Sequence, residues 1–208
     1  MTTLIPQFFV IEGADRVGKT TAIVEVEKAL SCDVYRLKFP SVDHAHGQDI
    51  YDMVLGRKPF NPWLVQFYNL ANRFDAAEDI AEMAEQGCVI IADRYVLSGL
   101  VYAHVDGIDL EWVRRISVLL PEPSTTFVIT GKQFQVVGKG ADAYEGDVAR
   151  EQTIYGCYHA ASVFTKAAGH SAAPWGIWEN ERVVRVENTG LERPSQIIAK
   201  QIMYALEE

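Results

Sequence analysis

The chain has 208 residues, 49% of them hydrophobic and 23% charged. That composition suits one globular domain of ordinary size and excludes a disordered chain, a fibrous repeat or a disulfide-stapled miniprotein. Lys and Arg number 19 against 28 Asp and Glu, a net charge of −9 with no basic stripe, so a nucleic-acid polymer is not an expected partner. Any polyanion has to be gripped locally, by a few placed donors. No apolar run approaches the roughly 18 residues of a membrane span, and no membrane partner is expected. The start, MTTLIPQFF, lacks a basic n-region and a small-residue cleavage site, so no leader is expected. Cys32, Cys88 and Cys157 lie far apart without a CxxC pair and read as free thiols of a reducing compartment, cytoplasmic or nuclear.

In chain order, Phe8–Gly13 is a short apolar run stopped by Gly and predicts a buried strand. Gly13-Ala14-Asp15-Arg16-Val17-Gly18-Lys19-Thr20 follows and fits G-x-x-x-x-G-K-[ST] at every fixed position. A helix is predicted from Lys19 to Leu30, so the motif sits between strand and helix as a phosphate cradle requires. Its glycines let successive N–H groups face phosphate oxygens, and the helix N-terminus adds positive potential. Lys19 would bridge the β- and γ-phosphates and Thr20 would ligate Mg²⁺. Arg16, inside the cradle, adds a cation for the charge of a phosphoryl-transfer transition state. No N-K-x-D guanine reader is present, which favours ATP over GTP.

Val34–Phe39 predicts a second strand, ended by Pro40. Asn61 is a candidate N-cap with Pro62 at the first helical position, opening a long helix that stops at Gly87. Val89–Ala92 is apolar on both faces, as central parallel strands are. Asp93-Arg94 closes it, where Asp93 would hold Mg²⁺ and Arg94 would clamp a second phosphate. Two phosphate sites imply transfer between two phosphorylated molecules. Strands are predicted at Thr125–Thr130 and Arg182–Glu187, with a last helix from Pro194 to about Leu206. The alternation gives an α/β layered fold with a parallel sheet. Residues 131–146 carry four glycines and little apolar periodicity, and read as a mobile lid. Taken singly, Arg73 also fits a solvated helix charge, Phe67 and Tyr68 fit core positions, and Asp93 with Arg94 fits a structural pair.

Five segments in order carry a resemblance: FVIEGADRVGKTT at Phe9–Thr21, ANRF at Ala71–Phe74, DRYVLSGLVYA at Asp93–Ala103, LLPEP at Leu119–Pro123 and AYEG at Ala143–Gly146. They resemble thymidylate kinase of the kind found in eukaryotes and their large viruses. The resemblance spans nearly the whole chain. It implies a single three-layer P-loop NTPase domain over residues 1–208, a five-stranded parallel sheet, a homodimer, and transfer of the ATP γ-phosphoryl group to dTMP with Mg²⁺. It also implies roles. ATP would meet Gly13, Asp15, Arg16, Val17, Gly18, Lys19, Thr20 and Thr21, with Thr20 and Asp93 at the metal. Asp15 would meet the acceptor 3′-hydroxyl, Arg73 the thymine O4 edge, and Arg94 the acceptor phosphate. Ser98, Gly99 and Tyr102 would wall that site, joined by Phe39, Tyr68 and Asn69. In the lid, Tyr144 would crowd out a ribose 2′-hydroxyl beside Asp142 and Glu145. Lys19, Arg16, Arg94 and Asp15 would carry the catalysis.

Two departures touch the acceptor site. Phe39-Pro40 is followed by Ser41-Val42 where the family has an acceptor-phosphate arginine two residues on, with Lys38 and His44 as candidate substitutes. Asn69 stands where the family has an aromatic platform for thymine, and the neighbouring Tyr68 is about 100° around a helix. The departures keep two alternatives open: a kinase of another deoxynucleotide (dUMP, dGMP or a modified one), or a catalytically silent nucleotide-binding module.

Overall fold

The computed structural model describes residues 4–131, 147–163, 175–178, 182–189 and 193–207. Five strands, β1 (Leu4–Glu12), β2 (Val34–Lys38), β3 (Val89–Asp93), β4 (Glu122–Gly131) and β5 (Arg182–Asn188), form one parallel sheet in the order β2-β3-β1-β4-β5. The helices are α1 (Lys19–Ala29), α2 (Gly47–Val54), α3 (Pro62–Glu85), α4 (Val96–Val105), α5 (Leu110–Ser117), α6 (Val148–Val163) and α7 (Pro194–Glu207).

The central strand explains the layers. Successive side chains of a strand point to opposite faces. Phe8 and Val10 enter a cluster with Ile90, Ala92, Tyr95, Ala76 and Ile80, under α3. Phe9 and Ile11 enter the other with Val17, Ile23, Val26, Phe127, Tyr158 and Ile198, under α1, α6 and α7. Both faces being covered, the strand reads as one apolar run.

The order of strands positions the site. From β1 the chain crosses to β2 on one side, while β4 lies on the other. A crevice therefore opens beyond the carboxyl end of β1, the usual ligand position in such sheets. The β1–α1 turn, the end of β3 and the end of β2 all meet there.

Several elements match the sequence reading closely. Asn61 accepts a hydrogen bond from Leu64 N at 3.1 Å, Pro62 opens α3, and Gly87 with φ 82° follows its end. Others differ. β4 begins at Glu122, three residues before its predicted start, because Glu122 and Pro123 pair with Leu4 and Ile5 ahead of a register break in β1. The helices α2, α4, α5 and α6 have no counterpart among the predicted elements. Of these, α4 is buried along almost its whole length, so it lacks the amphipathic stripe that periodicity detects. α2 and α5 have only eight residues each. The Trp175–Trp178 segment packs inward, with Trp178 stacked on Tyr95 at 6.3 Å.

Candidate active site

The phosphate cradle hangs from β1. Gly13 has φ 143°, and a Cβ there would stand 2.6 Å from Ile129 O, so only glycine lets the turn pass β4. Gly18, φ 97°, precedes α1. Lys19 is buried and donates to Ala14 O at 2.7 Å, and its ammonium lies 3.9 Å from Asp15. Burial, with the nearby Arg94 charge, pushes the Lys19 pKa down to about 8. Thr20 and Thr21 are exposed on the first turn of α1. Asn188 at the end of β5 donates to Val17 O at 3.2 Å and braces the cradle from the far side.

Arg16 and Arg94 both hold positive φ, 66° and 68°, a conformation that costs a non-glycine residue about 1 kcal/mol or more. Both belong to the site. Arg16 pairs with Glu151 of α6, at 2.5 Å, and its Nε is buried without a hydrogen-bond partner.

Arg94 sits at a polar node. Its Nη2 pairs with Asp15, while Nη1 donates to Tyr158 OH at 3.0 Å, with Ser98 Oγ at 3.4 Å and Gly13 O at 3.5 Å. Its guanidinium lies 5.7 Å from the Tyr102 ring centre, and Tyr102 OH also reaches Asp15 at 3.5 Å. Burial raises the Asp15 carboxyl pKa, but Arg94, Lys19 and Arg16 together outweigh it and hold the group below the usual carboxylate range.

Beneath the node lies Glu12, fully buried and absent from the sequence-derived site. Its carboxylate accepts from Tyr95 N (2.7 Å), Ser98 N (3.0 Å), Ser98 Oγ (2.7 Å) and Tyr158 OH (3.3 Å). It thereby caps α4 from the neighbouring strand. The signal was present: an acid ending an otherwise apolar buried run must find partners. Nothing in the sequence pointed to Tyr158.

Asp93, also buried, leaves Oδ1 without a hydrogen-bond partner. No cluster of three or more His, Cys, Asp or Glu suited to a metal occurs among the described residues. One carboxylate with an unpartnered oxygen, close enough to act on Lys19 of the phosphate cradle, fits Mg²⁺, an ion that typically keeps several waters and takes phosphate oxygens.

A cleft of about 230 Å³ adjoins the node, and Lys38, Phe39, Gln66, Asn69, Arg73, Arg94, Ser98, Gly99 and Tyr102 are among its walls. Asp15 lines it too, and so belongs to both cradle and cleft. Arg73 is buried against α4, where a Cβ on Gly99 would stand 3.2 Å from Nη1, so glycine makes room for the guanidinium. Tyr68 is placed elsewhere: its ring stacks on His46 at 4.2 Å, outside the cleft walls, because residue 68 faces α2 and not the sheet. Val42 is exposed and off these walls. His44 is turned to Ser41 Oγ (2.7 Å) and Asp79 (3.1 Å), whereas Lys38, the other candidate, lines the cleft. Asn72 fixes the intervening loop through Ser41 O (2.8 Å) and Ala45 O (2.9 Å).

A family model described as thymidylate kinase matches residues 11–148, well over half of the chain and most of the cradle, node and cleft. The chain belongs to the thymidylate kinase family. Its fold is similar to a solved thymidylate kinase from Candida albicans, with a TM-score of 0.71 and 22% identity over 99% of this chain and 93% of that one. That structure is described as revealing the origin of broad substrate specificity and a novel structural element. The thymidylate kinase residues expected at Asp142, Tyr144 and Glu145 lie outside the described residues. No helix among the described residues is long and apolar enough to cross a membrane.

Proposed function

We propose that this member of the thymidylate kinase family carries out ATP + dTMP → ADP + dTDP, with Lys19, Arg16, Arg94 and Asp15 as its catalytic residues. The observation that carries the reading is the shared carboxylate. Asp15 lies in the phosphate cradle, lines the cleft and holds Arg94, so donor and acceptor sites meet at one side chain.

The attacking group is an oxygen of the acceptor phosphate, already largely anionic at neutral pH, so no general base is needed. Catalysis is then positioning and charge neutralisation. Lys19 and Arg16 meet the charge of the transferring group. Arg94 holds the acceptor phosphate, which competes with Asp15 for the guanidinium and leaves the carboxylate for the sugar hydroxyl. Lys38 adds a second cation at the cleft wall, in place of the family arginine that Val42 replaces. Thr20 and Asp93 would hold Mg²⁺, which would supply positive charge against the phosphates. Four apolar side chains exposed on α3 (Trp63, Leu64, Phe67 and Phe74) support a homodimer formed through that helix.

The test is ADP release under saturating ATP–Mg²⁺ with dTMP, dUMP, dGMP, dCMP, UMP or no acceptor. Fastest turnover with dTMP is expected. ATP binding without turnover on any acceptor would instead indicate a silent module. A second reading, tolerance of several deoxynucleotides, is favoured by one observation: no aromatic platform stands at Asn69, and Tyr68 is committed to His46. Broad specificity is also attributed to the Candida enzyme. Comparable kcat/KM across the panel would support it.

A further inference from the structure

We propose that Gln66 is a specificity-determining residue, whose side-chain amide reads the acceptor base alongside Arg73. The proposal rests on the deoxynucleotide-kinase reading and deepens it.

Gln66 lies on α3, is 1% exposed and lines the acceptor cleft. Its Oε1 is buried and has no hydrogen-bond partner. A buried amide oxygen without a donor is costly, by about 1–3 kcal/mol. A leucine of similar volume would avoid that cost, so the amide is expensive as packing alone. Spacing on the helix places Gln66, Asn69 and Arg73 at i, i+3 and i+7, on one face. Asn69 spends its amide N–H on Val65 O at 2.9 Å. Arg73 bonds Asn69 O at a long 3.4 Å and keeps Nε buried without a partner. The stripe thus holds an unspent acceptor at Gln66 and an unspent donor at Arg73, both on side chains that line the same cleft.

That pair selects a chemical class. Arginine offers donors only, whereas a glutamine amide offers an acceptor and a donor side by side. A ligand edge that presents acceptor, donor, acceptor in sequence satisfies both: a carbonyl for Arg73, an N–H for Gln66 Oε1, and a second carbonyl for the Gln66 NH₂. This is the imide edge of uracil and thymine. Cytosine would turn an amine toward Arg73, donor against donor. The 5-methyl group lies off this edge, so Gln66 separates imide bases from amine-bearing ones and leaves dUMP and dTMP alike.

The experiment compares dTMP with N3-methyl-dTMP as acceptors for the wild type, Gln66→Leu and Gln66→Met. In the wild type, blocking N3–H should lower kcat/KM by about a hundredfold or more, since a site built to bond an N–H rejects an analogue lacking it. In either variant, kcat/KM for dTMP should fall about tenfold, chiefly through KM, and the dTMP to N3-methyl-dTMP ratio should shrink to about tenfold or less. KM for ATP should stay within about twofold, because the cradle is untouched. A packing role would alter thermal stability and leave the ratio unchanged. The proposal is overturned if the wild type uses both acceptors equally, a result that needs no variant, or if the ratio survives in both variants. Absence of any wild-type turnover on dTMP would sink the parent reading, and this assignment with it, before a variant is made.

Discussion

Lys19 and Arg16 act at the scale of single charges. If both stabilise the transferring phosphoryl group, Lys19→Ala or Arg16→Ala should each lower kcat about a hundredfold or more, measured by ADP release. Near-normal turnover in either variant would remove that residue from the mechanism. The Lys19 pKa near 8 adds a pH test. In the proposed role it is protonated Lys19 that meets ATP, so kcat/KM for ATP should be full below about pH 7 and fall as pH rises through about 8. A bound polyphosphate raises the pKa of a neighbouring ammonium, so kcat should hold to higher pH than kcat/KM. Coincident profiles would count against Lys19 as the titrating group. The residues that sequence could and could not reveal also separate here. Gly13, Lys19, Asp93 and Arg94 were legible because their chemistry depends on fixed spacing beside a strand. Tyr158 was not, since it reaches Arg94 from α6, 64 residues away in the chain.

Among the elements, the decisive contact is the cap that β1 supplies to α4. Glu12→Ala would leave Tyr95 N and Ser98 N without their buried acceptor, a loss of about 3 kcal/mol. In a chain of this size that corresponds to a fall of roughly 6–12 °C in Tm, readable by calorimetry. KM for the acceptor should rise as well, because Arg94, Ser98 and Tyr102 ride on the same segment. A stability loss with unchanged acceptor KM would mean that the cap does not position the cleft. Element type was legible wherever local signals act alone: Asn61 and Pro62 at α3, apolar runs in β1 and β3. It was illegible in α4, where burial on all sides erases periodicity. It was also partly hidden in β4, whose first pairs depend on a register break in β1.

For the whole molecule, the property to test is assembly. Trp63 and Phe67 are exposed, and each makes an edge contact with Trp112, at 5.8 and 4.9 Å, so the three rings form one cluster at the surface. Sedimentation should give twice the chain mass, and Phe67→Glu should give the monomer. A monomeric wild type would refute the α3 dimer. The net charge of −9 is compatible with an enzyme of anionic substrates because Lys38, Arg73 and Arg94 line the cleft and Lys19 and Arg16 lie in the adjoining cradle, a local positive field within an acidic chain.

The Glu12 contact has a mechanical consequence. The donor cradle is the continuation of β1, and the acceptor clamp is the continuation of β3 into α4. One carboxylate bolts the second to the first. A displacement of either end is therefore passed to the other through that carboxylate. The helix α2, which also lines the cleft, is not fastened at that bolt and rests on its own small apolar cluster with α3. The spacing between cradle and node is thus set by one buried side chain, and a change at Glu12 should be felt at both.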